Sequence, residues 1–549
     1  MPTSSSEAIG RELPASPSVV TAMHPTAARI GREVLASGGS AHDAAIAILA
    51  AMSVVEPFMS GLGGHGAAIV AVPGEPPCAI DASAVGPQAA GHGPRPMRGV
   101  GATPVPTALT GWTGLHAAGA TRDLGSLLDP AIRAARDGEP VAWYTALMIA
   151  SHGRLLREDA GAAALFLPHD GLPPQASASQ RAPADPFPQP ELAATLERVA
   201  EHGLDELRVG PTGRAICERI ARDGGPVTPA DLAALEPAPR SPVPTATFRG
   251  YEVHAGPVAS AGPSLLEMLA ILDDLDPQET PLGSAAYYAR IADAQRAAFL
   301  DREQHGDPRF VDAPLAAYGD PELAAARRAD LALARGGPLP RRDLSAPGYP
   351  RVGEHAGPAR TDAGASTTHV NVATADGTMI AATFTLGYPF GAAVVPPGTG
   401  LLLGNTLHQF ADAPPHPNAV APGKRAVWNG APTVLLRDGR PVLAVGAPGG
   451  PRIPGAIAQV LVAHLVYGLS PQRATEVPRI VQTGEVAYLD DRAAGGVAEA
   501  LRAEGRTVET LREGPFASNF ARPSLIVRQE SGGYVGGVDA WRLGTIATA

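Results

Sequence analysis

The sequence predicts a layered α+β domain in which β-sheets pack between helices. Helical periodicity dominates the first two thirds of the 549 residues, and hairpins alternating with helices dominate the last third. A hydrophobic content of 45% is sufficient for a large core. The length alone would permit about two to four domains, but no internal repeat divides the chain.

The N-terminal part of the chain contains two helical patterns after a predicted flexible tail, residues 1–20. The stretch HPTAARIGREVLASGGS predicts an amphipathic helix, because its apolar residues, such as Ile30 and Val34, share one face and a glycine pair follows. The stretch AHDAAIAILAAMSVV predicts a second, more buried helix. It leads into EPFMSGLGGHGAAIVAV, a glycine-rich loop followed by a strand.

The middle of the chain, from about residue 105 to 325, is predicted to be mostly helical, with clear helices in LLDPAIRAARDGEPV and SAAYYARIADAQRAAFLDRE. A segment rich in Pro, Gly and Arg follows at about 335–366. It has no apolar periodicity, and loops of that length are usually functional or disordered. We therefore expect a linker there.

After the linker the pattern changes to β-hairpins. THVNVA and MIAATFTL flank the turn 375–378, and TVLLR and PVLAVG flank Asp438 and Gly439. A buried helix is predicted in PGAIAQVLVAHLVYGLS, and the chain ends with the strands SLIVR and GYVGGV.

Charge and cysteine content exclude several classes of protein. The net charge of -11 gives no electrostatic reason to bind nucleic acid or an anionic membrane. Cys78 and Cys217 are far apart, so neither a metal-binding spacing nor a disulfide framework is expected. Because the chain also shows neither a secretory signal nor an apolar run of membrane-spanning length, we predict a soluble, cytoplasmic protein.

The junction between the linker and the first hairpin suggests a self-cutting enzyme. The linker ends at Ser366, and a strand begins at Thr367. The Thr367 hydroxyl could attack the Ser366 carbonyl, and hydrolysis of the resulting ester would release Thr367 as a new N-terminus. Such a threonine carries nucleophile and base together, because its α-amine titrates at roughly 7.7 to 8.0.

The stretch TTHVNVATADGTMIAATFTLGYPFGAAVVPPGTGLLLGN resembles the start of the small subunit of the γ-glutamyltransferases. Further resemblance lies in VVEPFMSGLGG, LLDPAIRAARDG, HPNAVAPGKR, GAPGGPRI and YGLSPQRATEVPRI, so it extends over most of the chain. These proteins are self-processing N-terminal-nucleophile hydrolases. The resemblance implies an αββα four-layer sandwich with a large-subunit segment, 21–366, and a small-subunit segment, 367–549, intertwined in one domain.

The resemblance also implies catalytic roles. Thr367 would be the nucleophile, and Thr385 the second threonine, which hydrogen-bonds the nucleophile and assists processing. Gly449 and Gly450 would supply backbone N–H groups to an oxyanion hole, and their place before a predicted helix suits that role. His369 would have a processing or structural role rather than that of general base.

The residues expected to bind a glutamyl group are poorly matched. Ser83 stands where the family has an arginine for the substrate α-carboxylate, and Gly387 stands where it has an asparagine. Thr406 and Gln409 occupy the stretch that binds the α-amine in the family. A charged group is costly to desolvate without a partner, so this pocket is expected to disfavour γ-glutamyl substrates.

Three further residues are predicted to shape the altered pocket. The family's adjacent serines fall on Trp428, which offers a flat apolar wall, and on Asn429, which can donate and accept hydrogen bonds. His65, in the glycine-rich loop, stands where the family more often has glycine, and it is a candidate to face the pocket.

The function that follows is that of a self-processing N-terminal-threonine amidohydrolase or acyltransferase. It would act through an acyl-Thr367 intermediate on a small acyl or amide substrate outside the γ-glutamyl class. No metal or organic cofactor is implied, and a homodimer remains open. Three alternatives also remain open: a C–C bond hydrolase removing an oxalyl-type group in actinomycete natural-product (4-alkylproline) biosynthesis, a genuine γ-glutamyltransferase or glutathione hydrolase, and a non-catalytic binding or scaffold homologue.

Overall fold

The computed structural model describes residues 7–177, 182–354, 366–517 and 519–549. In chain order its helices are α1 (Pro25–Ala36), α2 (Ala41–Val55), α3 (Ala108–Gly119), α4 (Leu124–Asp137), α5 (Trp143–Ser151), α6 (Gly153–Leu156), α7 (Ala160–Phe166), α8 (Pro190–His202), α9 (Asp205–Arg208), α10 (Pro211–Arg222), α11 (Pro229–Ala233), α12 (Gly262–Leu272), α13 (Ala285–Asp301), α14 (Pro321–Ala334), α15 (Ile453–Leu465), α16 (Pro471–Glu476) and α17 (Val497–Ala503).

The strands are β1 (Glu7–Ile9), β2 (Val19–Ala22), β3 (His65–Ala71), β4 (Cys78–Ala82), β5 (Glu139–Pro140), β6 (Pro186–Phe187), β7 (Arg240–Ser241), β8 (Thr245–Phe248), β9 (Tyr251–Ala255), β10 (Pro340–Arg342), β11 (Arg351–Glu354), β12 (Ser366–Ala373), β13 (Met379–Gly387), β14 (Thr433–Arg437), β15 (Arg440–Gly446), β16 (Ile480–Val481), β17 (Val486–Asp490), β18 (Thr507–Leu511), β19 (Ser524–Arg528), β20 (Tyr534–Val538) and β21 (Thr545–Thr548).

Two antiparallel sheets form the centre of the molecule. The eight-stranded sheet has the order β1-β21-β2-β12-β13-β3-β4-β7, and the six-stranded sheet has the order β20-β19-β15-β14-β9-β8. Successive residues of β13 alternate between the two faces of its sheet: Ala381 packs with Val434 and Ile526 between the sheets, whereas Ile380 faces the helices.

Helices cover the outer face of each sheet. One apolar core joins the eight-stranded sheet to α1–α4 and α8, and a second core joins the six-stranded sheet to α12, α13, α15 and α17. The αββα sandwich expected from the resemblance is therefore confirmed. Within the described ranges, no helix combines the length and the apolar character needed to cross a bilayer.

The first two helices form where the sequence predicts them, and local chemistry explains their starts. His24 caps α1 and Pro25 occupies its first turn, while Ser40 and Asp43 form a reciprocal capping box at α2. The helices approach closely at Gly31, where a Cβ atom would lie 2.4 Å from Ile48.

The prediction of a flexible tail over residues 1–20 is wrong for its described part. Strand β1 pairs with β21 at the edge of the large sheet, and Ser16 exchanges backbone hydrogen bonds with Tyr534. Pairing with the far end of the chain satisfies these backbone groups. Residues 1–6 lie outside the described ranges.

The linker predicted over 335–366 contains a small hairpin, because β10 pairs with β11. Side chains fasten this hairpin to α14: Arg342 and Arg351 reach Asp330 at 2.7 and 2.6 Å. The predicted loop or disordered linker is therefore a hairpin in this part, because its arginines pair with a buried carboxylate. Residues 355–365 lie outside the described ranges.

Candidate active site

The hairpin of β12 and β13 brings the predicted cleavage residues together. Ser366 lies opposite Gly387 and Thr368 lies opposite Phe384, with a register shift between these pairs. Thr367 and Thr385 both sit within this irregular part of the ladder. Their side chains, like that of Ser366, are buried.

Three oxygen atoms meet at the bond between Ser366 and Thr367. The hydroxyls of Thr367 and Thr385 both donate to the Ser366 carbonyl oxygen, and the two hydroxyl oxygens lie 3.3 Å apart. The Gly387 N–H donates to the Thr385 oxygen at 2.8 Å, which orients that hydroxyl toward the carbonyl. This arrangement can polarise the Ser366 carbonyl beside a hydroxyl nucleophile.

The glycine-rich loop holds Ser366 from the other side. The Ser366 hydroxyl donates to the backbone oxygens of Phe58 and Met59 at 3.0 and 2.7 Å. The same loop also accepts backbone hydrogen bonds from Leu386 and Phe390, which lie after the second threonine. The loop thus accepts hydrogen bonds from Ser366, at the start of β12, and from residues at and beyond the end of β13, next to the predicted cleavage bond.

The predicted oxyanion glycines lie where α15 begins. Gly449 has φ 152° and Gly450 has φ 60°, values that favour glycine. A Cβ at Gly449 would lie 2.4 Å from the Cβ of Ala521, and the Gly449 carbonyl accepts from Arg452 Nε at 2.9 Å. The first N–H groups of a helix lack intrahelical acceptors, so this turn can present donors to an anion.

A small chamber of about 30 Å³ is lined by Thr367, Thr385 and Gly450, whereas Ser366 and Gly449 do not line it. Its lining consists of Thr367, Thr385, Gly387, Tyr388, His408, Gln409, Trp428, Asn429, Gly430, Gly450, Pro451 and Ile453. None of these described lining residues is an aspartate, glutamate, lysine or arginine. The chamber meets a larger outer cavity of about 340 Å³, with which it shares His408, Gln409, Asn429 and Pro451.

Trp428 forms one wall of the chamber, and Ser83 holds it from behind. The indole N–H donates to Ser83 Oγ at 2.9 Å, and Ser83 Oγ donates to Asp81 at 2.5 Å. Asp81 in turn pairs with Arg425 at 3.4 Å. Ser83 does not line the chamber, so the structure does not bear out its direct contact with substrate.

His65 also lies behind Trp428 rather than in the chamber or on the surface. It is the first residue of β3, directly opposite Thr385, and its ring meets the indole edge-on at 4.9 Å. Among the described residues neither ring nitrogen has a hydrogen-bond partner. Burial, reinforced by nearby His408, lowers the pKa of His65 to about 3, so this ring is neutral at physiological pH.

Three residues occupy positions that bind the glutamyl group in the family. Gln409 and Gly387 line the chamber, whereas Thr406 does not. Gly387 has φ 101°, and a Cβ there would lie 2.2 Å from Asn405 Oδ1, so a side chain is excluded. The Thr406 hydroxyl is buried beside Gly387 without a partner in the described chain.

His369 lies two residues beyond Thr367 and belongs to a polar chain between the sheets. Its ring contacts Thr383 Oγ1 at 2.8 Å and Asn371 Oδ1 at 2.9 Å, and Asn371 donates onward to Ser524. Burial lowers the pKa of His369 to about 4. Of the two roles predicted for His369, processing and structural, these contacts support the structural one.

Several lining residues were missed by the sequence reasoning. Tyr388 and His408 adjoin residues already singled out, and their rings lie 5.0 Å apart. The His408 Nδ1 nitrogen contacts the Asn405 carbonyl at 2.6 Å. Arg302, at the end of α13, contacts Asn429 and lines the outer cavity. No local pattern in the sequence connects Arg302 with a residue so distant in the chain.

An αββα sandwich with a hydroxyl residue at the start of a central strand is typical of the N-terminal-nucleophile hydrolases, in which a threonine, serine or cysteine is the nucleophile. The family model described as Gamma-glutamyltranspeptidase matches residues 27–549. The chain belongs to this family.

Curated relatives agree with this assignment. The chain is 34% identical to the acylase ACY 1 proenzyme of Pseudomonas sp. (strain SE83), over 89% of this chain and 87% of that protein. It is 30% identical to the glutathione hydrolase proenzyme of Escherichia coli (strain K12), over 84% and 80% of the two chains.

A solved structure shows the same fold. The cephalosporin acylase from Bacillus halodurans superposes with a TM-score of 0.85 and 25% identity, covering 98% of this chain and 97% of that chain. Because the family and these relatives are enzymes, the chain is an enzyme of acylase or hydrolase type, and the scaffold alternative is not supported.

Proposed function

We propose that the chain cuts itself between Ser366 and Thr367 and then transfers small acyl groups outside the γ-glutamyl class through an ester on Thr367. The observation that carries this proposal is the meeting of the Thr367 and Thr385 hydroxyls on the Ser366 carbonyl. The name proenzyme, which both curated relatives carry, supports a precursor that is processed into two subunits.

Processing begins when Thr367 Oγ1 attacks the carbonyl carbon of Ser366. Negative charge then develops on the carbonyl oxygen, to which Thr385 donates. The C–N bond breaks as the proton released by Oγ1 passes to the Thr367 nitrogen, leaving an ester between the two residues. Water hydrolyses this ester, which gives a carboxylate on Ser366 and a free α-amine on Thr367.

Turnover uses the same hydroxyl with the newly released amine. The Thr367 α-amine accepts the hydroxyl proton as Oγ1 attacks the acyl carbon of the substrate. The N–H groups at Gly449 and Gly450 are the proposed donors to the resulting oxyanion. The leaving amine departs with the proton, and water or an acceptor amine then removes the acyl group from Thr367.

The uncharged lining of the chamber supports a substrate outside the γ-glutamyl class. A glutamyl group brings an α-carboxylate and an α-ammonium, and each is costly to bury without an opposite charge. Trp428, held by Ser83, and Asn429 fill the positions of the family's serines instead. The acylase relative, the nearer of the two curated relatives described above, supports the same assignment.

Intact mass spectrometry of the purified protein tests the processing step. We expect two fragments, one of them residues 367–549, whereas Thr367→Ala should remain a single chain of 55.9 kDa. A wild-type chain that stays uncut after prolonged incubation would contradict the proposal.

A panel of acyl amides tests the substrate class. We expect negligible release of p-nitroaniline from γ-glutamyl-p-nitroanilide, together with an acyl adduct on the 367–549 fragment from at least one small non-glutamyl amide. Turnover of the γ-glutamyl compound at the rate of a typical family member would refute the proposal that the pocket disfavours γ-glutamyl substrates.

A further inference from the structure

Two backbone N–H groups at the turn before α15 have no acceptor in the described part of the chain. Gly449 is buried and Gly450 is half-buried at this turn. The hydrogen bonds among the residues that the structure describes include none donated by either backbone nitrogen. Withdrawn backbone donors are nearly always paired with protein, water or a ligand. The turn is therefore a place where an acceptor from outside the protein can bind.

The carbonyl oxygens of the same two peptides are held from behind. The Arg522 N–H donates to the Pro448 oxygen at 2.9 Å, and Arg452 Nε donates to the Gly449 oxygen at 2.9 Å. In a trans peptide the carbonyl and the N–H of the next residue point in opposite directions. Holding the Gly449 oxygen on the side of Arg452 therefore aims the Gly450 N–H away from the guanidinium.

The direction away from the guanidinium leads to the chamber. Gly450 lines the chamber together with Thr367, whereas Arg452 does not line it. The Arg452 side chain lies behind the turn, where its Nη1 also donates to the Asn519 carbonyl at 3.3 Å. One guanidinium thus connects the turn with the segment that precedes β19, and its forked shape suits two such acceptors.

The charge of Arg452 has no direct carboxylate partner. Across the described ranges no carboxylate forms an ion pair with this residue, and nearby Glu513 pairs with Arg522 instead. Burial, reinforced by Arg542 and Arg522, lowers the pKa of Arg452 to about 10, so the guanidinium stays charged at neutral pH. A charge withdrawn from water without a partner is costly. Negative charge that develops in the chamber would offset part of this cost.

We propose that Arg452 is a positioning residue of the oxyanion hole. It locks the peptide between Gly449 and Gly450, so that the Gly450 N–H faces the acyl oxygen, and its charge strengthens that donor. A carbonyl that accepts a hydrogen bond from a cation polarises its own peptide, which makes the attached N–H a better donor. This inference rests on the acyl transfer proposed above, because it assigns a role within that reaction.

Crystal structures test the positioning role without any turnover. The uncut Thr367→Ala chain is compared with the same chain carrying Arg452→Met, which keeps an unbranched side chain and removes the guanidinium. We expect the Gly449 oxygen to face Arg452 in the first structure, and to rotate away or occupy two orientations in the second. An unchanged peptide plane in the second structure would overturn the inference.

Acetylation of the processed enzyme by p-nitrophenyl acetate tests the consequence for the reaction. The readouts are kcat and KM for release of p-nitrophenol, with mass spectrometry locating the acetyl group on Thr367. Arg452→Met and Arg452→Gln should lower kcat by about 10- to 100-fold and leave KM within about twofold of the wild-type value. Arg452→Lys keeps the charge but not the fork, so its kcat should lie between these values.

Arg296→Met is the matched control. Arg296 is half-buried like Arg452, and its Nη1 also donates to backbone carbonyls, those of Gly336 and Gly337 at 2.7 and 2.6 Å. It lines neither the chamber nor the outer cavity. The control should lower the melting temperature and leave kcat unchanged. A loss of kcat in Arg296→Met equal to that in Arg452→Met would show that any lost guanidinium has this effect, and would overturn the inference.

Chemical rescue separates the charge of Arg452 from its shape. Arg452→Ala should regain kcat by at least about tenfold when guanidinium ion is added below denaturing concentrations, whereas urea, which is flat but neutral, should not restore it. No rescue by guanidinium, equal rescue by urea, or a kcat of Arg452→Met within about twofold of the wild-type value would each overturn the inference.

Folding and the proposed function are controlled separately. Melting temperatures establish that each variant is folded, and Arg452→Gln replaces Arg452→Met in every test if the methionine variant does not fold. A wild-type chain that stays uncut or forms no acetyl adduct refutes the proposed function alone. The crystal structures of the uncut chain then decide this inference by the orientation of the Gly449 carbonyl.

Discussion

Replacing Thr385 with valine isolates the contribution of one hydroxyl to self-cleavage. Valine has nearly the shape of threonine, so the buried packing beside Thr367 is kept. The change removes the donor to the Ser366 carbonyl oxygen and the acceptor of the Gly387 N–H. The control is Thr385→Ser, which keeps the hydroxyl and loses a methyl group.

The two lost contacts have different expected effects. Removing one donor to a developing oxyanion slows such reactions roughly 10²- to 10³-fold, or about 2.7–4 kcal/mol in activation free energy. Leaving the Gly387 N–H without an acceptor costs about 1–3 kcal/mol in the free energy of unfolding. We therefore expect slow cutting by a folded but less stable precursor, whereas Thr385→Ser should cut within about tenfold of the wild-type rate.

The assay follows the appearance of the 367–549 fragment by intact mass after the precursor is purified, at constant temperature and pH. Urea unfolding of the same samples measures stability separately. If Thr385→Val cuts as fast as the wild-type chain while remaining folded, the hydroxyl does not polarise the carbonyl, and the processing mechanism is wrong.

Three other changes give distinct outcomes. Ser83→Ala leaves the buried Trp428 indole N–H unpaired, so urea unfolding should show a loss of about 1–3 kcal/mol. Gly449→Ala introduces a Cβ 2.4 Å from Ala521, so we expect a lower melting temperature and a weaker acyl adduct, whereas Gly495→Ala, which meets nothing within 4 Å, should leave both unchanged. The pKa of His369, about 4, is depressed from roughly 6.5 by burial. Stability is therefore lost as pH falls from 6.5 toward 4, because only the unfolded chain binds this proton. His369→Gln should reduce the slope of the unfolding free energy against pH by about 1.4 kcal/mol per pH unit, as measured by urea unfolding. An unchanged slope would contradict the depressed pKa of His369.

Local patterns predicted the elements that depend on neighbouring residues. Helices α1 and α2 follow their apolar periodicity and caps, and the β12–β13 hairpin follows its turn. The first strand was missed because its partner, β21, lies at the opposite end of the chain. Only the assembled sheet shows that residues 7–9 have a place in it.

The candidate site likewise contains residues that the sequence could predict and residues whose partners are distant in the chain. Thr367 was predicted from the linker–strand junction and the family resemblance, and Thr385 from the resemblance; the structure brings their hydroxyls within 3.3 Å of each other. Ser83 was assigned to the substrate, whereas it supports Trp428. A sequence position can show that a residue type has changed but not which side chain occupies the space. Arg302 illustrates the remaining gap, since its contact with Asn429 joins residues far apart in the chain.

The large sheet contains strands from both sides of the bond between Ser366 and Thr367. Strand β12 pairs with β2, β13 pairs with β3, and β21 lies between β1 and β2. Cutting that bond would detach only the first residue of β12, Ser366, which pairs with Gly387, and would leave the rest of the cross-strand ladders in place. Dilution or native chromatography should therefore not separate the fragments. Either segment made alone would expose unpaired strand edges, a common cause of aggregation. Synthesis as one polypeptide thus guarantees equal amounts of two mutually dependent halves, and covalent continuity becomes dispensable once the sheet has formed.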